Sequence, residues 1–219
     1  MADLSTMAEL AKAVNKLKSG KDGSSILPEM VKASCNADGF PDLLLDLIHS
    51  TRKAKRVPKQ WSDAVLIPIP KKGDLTCCDN WRGIALLDVV GKVTASIIQG
   101  RLQDLAEVLP ESQCGFRKGR GCADMIFTVR QLVEKSWEHK AKSFLVFIDL
   151  RKAYDSIPRE ALWMALQKLG VPNSVIELIH SFHQNMKAQI LLDDTLLEEI
   201  KVDNGLRQGH LYSSICTRV

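Results

Sequence analysis

The sequence predicts an α+β fold that is mainly helical and carries a small sheet. Three observations lead to this prediction. Several long stretches repeat apolar residues at the spacing of one helix face, and glycine or proline bounds most of them. Two shorter stretches are apolar runs of strand length, and a third has turn residues at its centre. The 219 residues are 45% hydrophobic, which allows a sizeable core in one domain or two small ones.

The first helix is predicted within STMAELAKAVNKLKSG, residues 5–20. Thr6 and Glu9 have the spacing of a capping box, in which each side chain binds the backbone N–H of the other residue. Residues 27–37 and 41–55 predict two further helices. Each of these stretches has a proline in its first turn, where a backbone N–H would have no hydrogen-bond acceptor within the helix.

DAVLIPIP, residues 63–70, predicts a strand. Pro68 and Pro70 cannot donate a hydrogen bond to a neighbouring strand, so we expect this strand at an edge of the sheet. Two long amphipathic helices are predicted next, over residues 86–109 and 123–140, with the basic loop PESQCGFRKGRG between them.

KSFLVFIDL, residues 142–150, predicts a buried strand because its apolar residues are consecutive. A helix that ends at Gly170 should follow it, and SVIELIHSFHQ, residues 174–184, predicts another. The last segment, MKAQILLDDTLLEEIKV, predicts a hairpin that turns at Asp193 and Asp194, although its alternation is imperfect.

The composition argues against membrane and exported proteins. The apolar stretches, such as AVLIPIP, are far shorter than the ~20 residues that a membrane span needs, and the first residues show no apolar signal core. The six cysteines form no CxxC pair and have no histidine at metal-ligand spacing, so we expect reduced thiols. We therefore expect a soluble intracellular protein without membrane contact, in either the nucleus or the cytoplasm.

Positive charge is concentrated in two places. Residues 50–72 hold seven lysines and arginines against one aspartate, and CGFRKGRGC, residues 114–122, holds three more. Clustered cations bind phosphate through Coulomb attraction and counterion release. A solvated helix end and a polar loop would have the same composition. The candidate nucleic-acid-binding residues are Arg52, Lys53, Arg56, Arg117, Lys118 and Arg120.

Asp149 stands at the end of an apolar run, and Asp155 follows it six residues later at a predicted helix start. A carboxylate at a strand end can cap the next turn, and one at a helix start can accept backbone hydrogen bonds. Alternatively, Asp149 can bind Mg²⁺, since a hard cation prefers carboxylate oxygens and a rigid strand end fixes their position. One aspartate does not decide between these interpretations.

Five segments, in order along the chain, resemble the reverse transcriptase of non-long-terminal-repeat retrotransposons. FIDLRKAYD, residues 147–155, resembles the first palm motif, and NGLRQG, residues 204–209, resembles the palm motif with a glutamine–glycine pair. Three earlier segments resemble the region before the fingers and the fingers motifs themselves: KSGKDGSSILPEMVK, VPKQWSDAVLIPIPKKGDLTCCDNWRGIALLDVVGKV and ESQCGFRKGRGCADMIFTVRQL.

The resemblance implies a right-hand polymerase fold, with fingers, an incomplete palm and a small partial antiparallel sheet. The N-terminal extension and fingers would occupy residues 1–140, the partial palm residues 141–209 and an aberrant tail residues 210–219. It implies RNA-directed DNA synthesis on an RNA template from a DNA primer, with deoxynucleoside triphosphates as substrates. It also implies Mg²⁺ held by Asp149 and the Leu150 carbonyl.

The resemblance further implies contacts with the incoming nucleotide. Cations on a fingers hairpin would clamp the triphosphate, a tyrosine under the sugar would exclude a 2′-hydroxyl, and the glutamine–glycine pair would touch the nucleotide and the template backbone. Without the resemblance, an exposed basic turn, a packing tyrosine and a turn after a hairpin are the alternatives. The residues concerned are Lys71, Lys72, Arg82, Tyr154, Gln208 and Gly209.

The sequence departs from the family after NGLRQG. The family continues with a proline-containing helix and a hairpin that bears two adjacent aspartates, whereas this chain reads HLYSSICTRV. Two-metal catalysis needs several carboxylates around ions ~3.5–4 Å apart. We therefore expect residues 1–219 to be an inactive fragment of such a polymerase. The alternative is a non-catalytic, nucleic-acid-binding relic of a retrotransposon.

Overall fold

The computed structural model describes residues 3–20, 26–103, 111–115, 117, 119–150 and 152–206. Three predicted site residues, Lys118, Gln208 and Gly209, lie outside the described residues. So do the end of the helix predicted over 86–109 and the tail from residue 210.

The described chain is built mainly from helices. They are α1 (Met7–Asn15), α2 (Pro28–Ser34), α3 (Phe40–Ala54), α4 (Lys59–Ser62), α5 (Val89–Leu102), α6 (Cys122–Glu138), α7 (Ala153–Ser156), α8 (Arg159–Lys168) and α9 (Asn173–Ser181). The strands are β1 (Ala64–Pro70), β2 (Trp81–Leu86), β3 (Lys187–Leu192), β4 (Thr195–Leu196) and β5 (Ile200–Lys201). None of the helices within the described ranges is long and apolar enough to cross a membrane.

Local sequence signals begin and end these elements as predicted. The Thr6 side chain accepts from the Glu9 N–H and the Glu9 carboxylate accepts from the Thr6 N–H, so the capping box of α1 is confirmed. The turn between β3 and β4 consists of Asp193 and Asp194, which both have positive φ. Two successive left-handed residues suit the twist of a two-residue hairpin, and the predicted hairpin is confirmed.

The sheet is mixed, with strand order β2-β1-β3-β4 and with β5 also pairing with β3. β1 pairs antiparallel with β2 from Val65 to Pro70, and parallel with β3 over Ala64 to Leu66. The prediction of a small partial antiparallel sheet is therefore wrong for the parallel pair β1–β3, whose connection runs through β2 and the helices from α5 to α9. The predicted edge position of β1 is also wrong. Its prolines lie beyond Leu66, where β3 no longer pairs with it.

Helix α5 is the centre of the core. One of its faces, with Ala95 and Ile98, packs against α4, α8 and α9, where the rings of Trp61 and Phe182 stack at a centroid distance of 6.3 Å. The opposite face, with Val93, packs against α1, α2 and α3. Because both faces are buried, α5 holds two helical layers together and is less amphipathic than the sequence predicted.

The apolar segment before Asp149 differs from its prediction. Residues 141–150 form no strand, and Phe147 is 87% exposed. The neighbouring helix α6 forms as predicted, but none of its described residues is buried and Trp137 is 88% exposed. An apolar run becomes a strand only where another strand offers its backbone groups, and no described strand pairs with this segment. The prediction of a buried strand at 142–150 is therefore wrong for this structure.

An ion pair ties α1 to the end of α5. The Arg101 guanidinium donates to both carboxylate oxygens of Glu9, at 2.6 and 2.8 Å, and to the carbonyls of Asp3 and Leu4. The hydrogen bond from Arg101 lowers the pKa of Glu9 to about 2. The pair therefore fixes the first residues of the described chain to the central helix.

We expect this ion pair to give an acid-dependent stability. A carboxylate with a lowered folded-state pKa stabilises the fold above its unfolded pKa of 4.5, and that contribution is lost as the pH falls towards about 2. Glu9→Gln should therefore lower the free energy of unfolding by about 1–2 kcal/mol at pH 6 and by much less at pH 2.5. Urea unfolding at both pH values measures this. Glu160→Gln, at an exposed site on α8, is the control and should cost little at either pH.

Candidate active site

A cleft of about 810 Å³ lies between three separate parts of the chain: the β1–β2 hairpin, residues 149, 150 and 152–155, and residues 202–206. We call it the central cleft. Five of the residues predicted from the sequence line it, namely Lys71, Arg82, Asp149, Leu150 and Tyr154. Folding therefore brings the predicted fingers cations and the predicted palm residues to one place.

The β1–β2 hairpin forms one wall of the central cleft. The Lys71 ammonium donates to the Asp79 carbonyl at 3.0 Å, and the Lys71 N–H donates to the Asn80 carbonyl at 2.7 Å, so Lys71 closes the end of the hairpin. Arg82 lies on β2 with its side chain exposed and without a partner among the described residues. Lys72 is exposed just outside the cleft lining. The hairpin thus offers Arg82 as a cation that can reach a ligand.

Asp149, Leu150 and residues 152–155 form a second wall. Asp149 is exposed at the end of the extended run, and α7 holds Tyr154 half-buried. Lys152 turns the chain into α7 with a left-handed φ of 49°, and its ammonium lies 2.6 Å from an Asp79 carboxylate oxygen. This ion pair joins the second wall to the hairpin. Sequence reasoning missed the pair of Lys152 and Asp79, because the two residues lie 73 positions apart.

Residues 202–206 form the third wall and lie directly on α7. The Leu206 N–H donates to the Tyr154 carbonyl at 2.7 Å. Gly205 has a φ of 76°, and a Cβ at that position would lie 2.6 Å from the Asp155 Cα atom. Only glycine fits so close to another backbone. Gln208 and Gly209 follow this wall but lie outside the described residues.

Arg159 at the start of α8 holds this third wall. Its guanidinium donates to the carbonyls of His183, Val202, Asn204 and Gly205, at distances from 2.9 to 3.3 Å. Burial lowers the pKa of Arg159, but a guanidinium stays charged at any physiological pH. Sequence reasoning missed this residue too, since its carbonyl partners lie 24 to 46 residues away.

The charges in the central cleft are balanced and mixed. Its lining holds the cations Lys71, Arg82 and Lys152 and the carboxylates of Asp79, Asp149 and Asp155. In the part of the chain that the structure describes, no three acidic, histidine or cysteine side chains converge as a metal cage. The donors Asp149 and the Leu150 carbonyl still fit Mg²⁺, which often takes one or two protein ligands and completes its shell with water and phosphate oxygens.

The predicted nucleic-acid-binding residues are dispersed. Arg52 is half-buried, and desolvation together with the nearby Arg101 lowers its pKa, so it belongs partly to the packing between α3 and α5. Arg117 and Arg120 both bind the Glu111 carboxylate, at 3.2 and 2.7 Å. Of the others within the described ranges, Lys53 and Arg56 are exposed.

Comparison with known proteins defines the class. A family model described as reverse transcriptase (RNA-dependent DNA polymerase) matches residues 69–218, a range that contains the residues lining the central cleft except Leu66. The chain belongs to this reverse transcriptase family.

The relatives identify the branch of the family. The chain is 28% identical over 170 residues to an uncharacterized 149 kDa protein of transposon TX1 from Xenopus laevis, covering 77% of this chain and 13% of that protein. It is 29% identical over 146 residues to a probable RNA-directed DNA polymerase from transposon BS of Drosophila melanogaster (62% and 16%). It is 25% identical over 154 residues to a Pol polyprotein from the retrotransposable element R2 of Popillia japonica (70% and 22%).

These relatives confirm the prediction of a reverse transcriptase domain of the non-long-terminal-repeat retrotransposon type. The chain spans less than a quarter of the length of each of the three relatives described above.

Proposed function

We propose that this chain is part of an RNA-directed DNA polymerase, in which the central cleft binds the incoming deoxynucleoside triphosphate beside an RNA template and a DNA primer. The observation that supports this most is the convergence of Lys71, Arg82, Asp149 and Tyr154 from distant segments on one cleft. Nucleotidyl transfer depends mainly on positioning and on charge stabilisation, and these residues supply both.

Each residue has a role in this proposal. Arg82, which is exposed on β2, would bind the triphosphate with its planar fork, and Lys71 would add a second positive charge at the hairpin end. Lys72 would act from just outside the cleft lining. Asp149 and the Leu150 carbonyl would hold Mg²⁺, which when bound supplies neutralisation of the phosphate charge. Gln208 and Gly209 would touch the nucleotide and the template backbone.

We also propose the division of the chain by analogy with a right hand. Residues 1–140 would form the N-terminal extension and the fingers, residues 141–209 a part of the palm, and residues 210–219 a tail outside that pattern. The resemblance assigns a metal contact to Asp149 alone among the carboxylates of the first palm motif, and residues 210–219 contain no aspartate, so the polypeptide of residues 1–219 by itself would not extend a primer.

The experiment is primer extension on an RNA template. The 219-residue polypeptide should give no product, whereas an extended polypeptide, with residues 1–209 joined in frame to the remaining palm of a relative, should incorporate deoxynucleotides. Strand binding without extension by either polypeptide, at any Mg²⁺ concentration, would favour a non-catalytic binding module and contradict the proposal.

Tyr154 provides a test of the nucleotide position. If its ring lies under the sugar, Tyr154→Val in the extended polypeptide should open space for a 2′-hydroxyl and raise ribonucleotide incorporation relative to deoxynucleotide by about tenfold or more. The measurement is the ratio of kcat/KM for the two nucleotides. Tyr154→Phe is the control and should keep the wild-type ratio. An unchanged ratio in Tyr154→Val would place the sugar elsewhere.

A further inference from the structure

A second cleft of about 710 Å³ lies where the end of α3, helix α4 and the start of β3 meet. We call it the basic cleft. Met186 lines the central cleft and its chain neighbour Lys187 lines the basic cleft, and adjacent residues of an extended chain point to opposite sides. The two clefts therefore lie on either side of the chain that enters β3.

The basic cleft differs from the central cleft in its charge. Its lining holds the cations Arg56, Lys59 and Lys187, and among its described lining residues there is no aspartate or glutamate. The central cleft, by contrast, mixes cations with carboxylates. The carboxylates of Asp63 and Glu199 contact these cations from outside the lining, so the basic cleft keeps an excess of one positive charge, whereas the charges that line the central cleft are equal in number. An excess of positive charge attracts an anion.

The cations of the basic cleft are available for a ligand. Arg56 is exposed, and its side chain has no partner among the described residues. Lys59 lies 4.0 Å from Asp63, at the limit of an ion pair, and the bond between Lys187 and Glu199 is exposed on both sides. Exposed ion pairs contribute little free energy, so a bound phosphate could replace these carboxylates.

The remaining lining indicates contact with a backbone and not with bases. The amides of Gln184 and Asn185 are exposed at the cleft and can donate to phosphate oxygens. Neither tryptophan, tyrosine, phenylalanine nor histidine is among the described lining residues, so the cleft has no ring on which a base could stack. Such a lining binds a strand with little dependence on its sequence.

We propose that the basic cleft binds the phosphodiester backbone of a nucleic-acid strand through Arg56, Lys59 and Lys187, on the side of β3 away from the central cleft. This deepens the proposed function, on which it rests for the presence of a strand. It assigns Lys59 and Lys187 to strand binding, and it gives Arg56 a different role from Arg52, which packs between helices.

The test uses the 219-residue polypeptide and a labelled single strand of about 12 nucleotides, as DNA and as RNA, in fluorescence anisotropy. Three phosphate contacts predict a slope of log K against log[salt] of about −2, which is roughly an 18-fold loss of affinity between 50 and 200 mM salt. Arg56→Gln/Lys59→Gln should weaken binding about tenfold or more at 100 mM and reduce the slope by about 1.4.

Lys16→Gln/Lys168→Gln is the matched control, because it removes the same charge from two exposed sites outside the basic cleft, one directly after α1 and one at the end of α8. It should keep the wild-type slope. Circular dichroism melting should show that both double variants are folded. The loss should be the same for two unrelated sequences, because the cleft has no means to read bases.

Three results would overturn the proposal. One is an equal loss of affinity in the control and in Arg56→Gln/Lys59→Gln. Another is inorganic pyrophosphate competing with the strand at equal phosphate concentration, which would make the cleft a site for a small anion. The third is an unchanged slope in Arg56→Gln/Lys59→Gln. Primer extension by the extended polypeptide would still support the proposed function in each case, so the two proposals fail separately.

Discussion

Asp149→Asn in the extended polypeptide is expected to lower the rate of primer extension by a factor of about 10³ or more. Asparagine has nearly the same shape as aspartate but carries no charge, so it neutralises Mg²⁺ poorly and weakens the alignment of the triphosphate. Asp149 lines the central cleft with Lys71 and Arg82, which places its charge beside the proposed triphosphate site. Single-turnover extension at saturating nucleotide measures the loss.

Asp155→Asn is the matched control for this prediction. Asp155 also lines the central cleft and is also exposed, so its substitution removes the same charge from the same space. We expect it to change the rate by less than about tenfold, because the resemblance assigns it no metal contact. Salt-dependent strand binding should persist in both variants. If Asp149→Asn extended primers as fast as wild type, the metal would have to bind elsewhere and the mechanism would be wrong.

The parts of the fold that sequence predicted are those fixed by neighbouring residues. The capping box of α1 needs only Thr6 and Glu9, and the hairpin turn needs only Asp193 and Asp194. The predicted cleft residues came from the resemblance, because each lies in one of the short segments whose order along the chain is typical of reverse transcriptases. Local chemistry therefore predicted most of the helices and the hairpin, and the resemblance predicted five of the residues that line the central cleft, whereas their roles stay predictions.

The parts that sequence did not predict depend on distant partners. The parallel pairing of β1 with β3 joins residues more than 120 positions apart. The partners of Arg159 are backbone carbonyls, which every residue has, so no sequence pattern indicates which of them it binds. The strand prediction for residues 142–150 was also wrong because a strand depends on a distant partner, and no described strand pairs with this segment. Its apolar residues suggested burial, but burial needs a neighbouring strand, and a sequence pattern does not say whether one is present.

Gly205→Ala should be among the most destabilising single substitutions in the described chain. A Cβ at this position would lie 2.6 Å from the Asp155 Cα and 2.7 Å from the carbonyl oxygens of Tyr154 and Asp155. Backbone atoms cannot rotate away as a flexible side chain can, so the wall of residues 202–206 would have to lift from α7. We expect a loss of about 3–4 kcal/mol in the free energy of unfolding, measured by urea denaturation.

Gly170→Ala separates the two causes of that loss. Gly170 has a φ of 79°, close to the 76° of Gly205, but no heavy atom lies within 4 Å of the position of its Cβ. Gly170→Ala should therefore lower the free energy of unfolding only by the cost of an alanine in the left-handed conformation, about 1–2 kcal/mol. The additional loss of stability in Gly205→Ala measures the contact between residues 202–206 and α7. Gly205→Ala should also bind deoxynucleotides more weakly, whereas Gly170→Ala should bind them as the wild type does. Equal losses in the two variants would mean that Gly205 does not touch α7, and that Tyr154 is positioned without this wall.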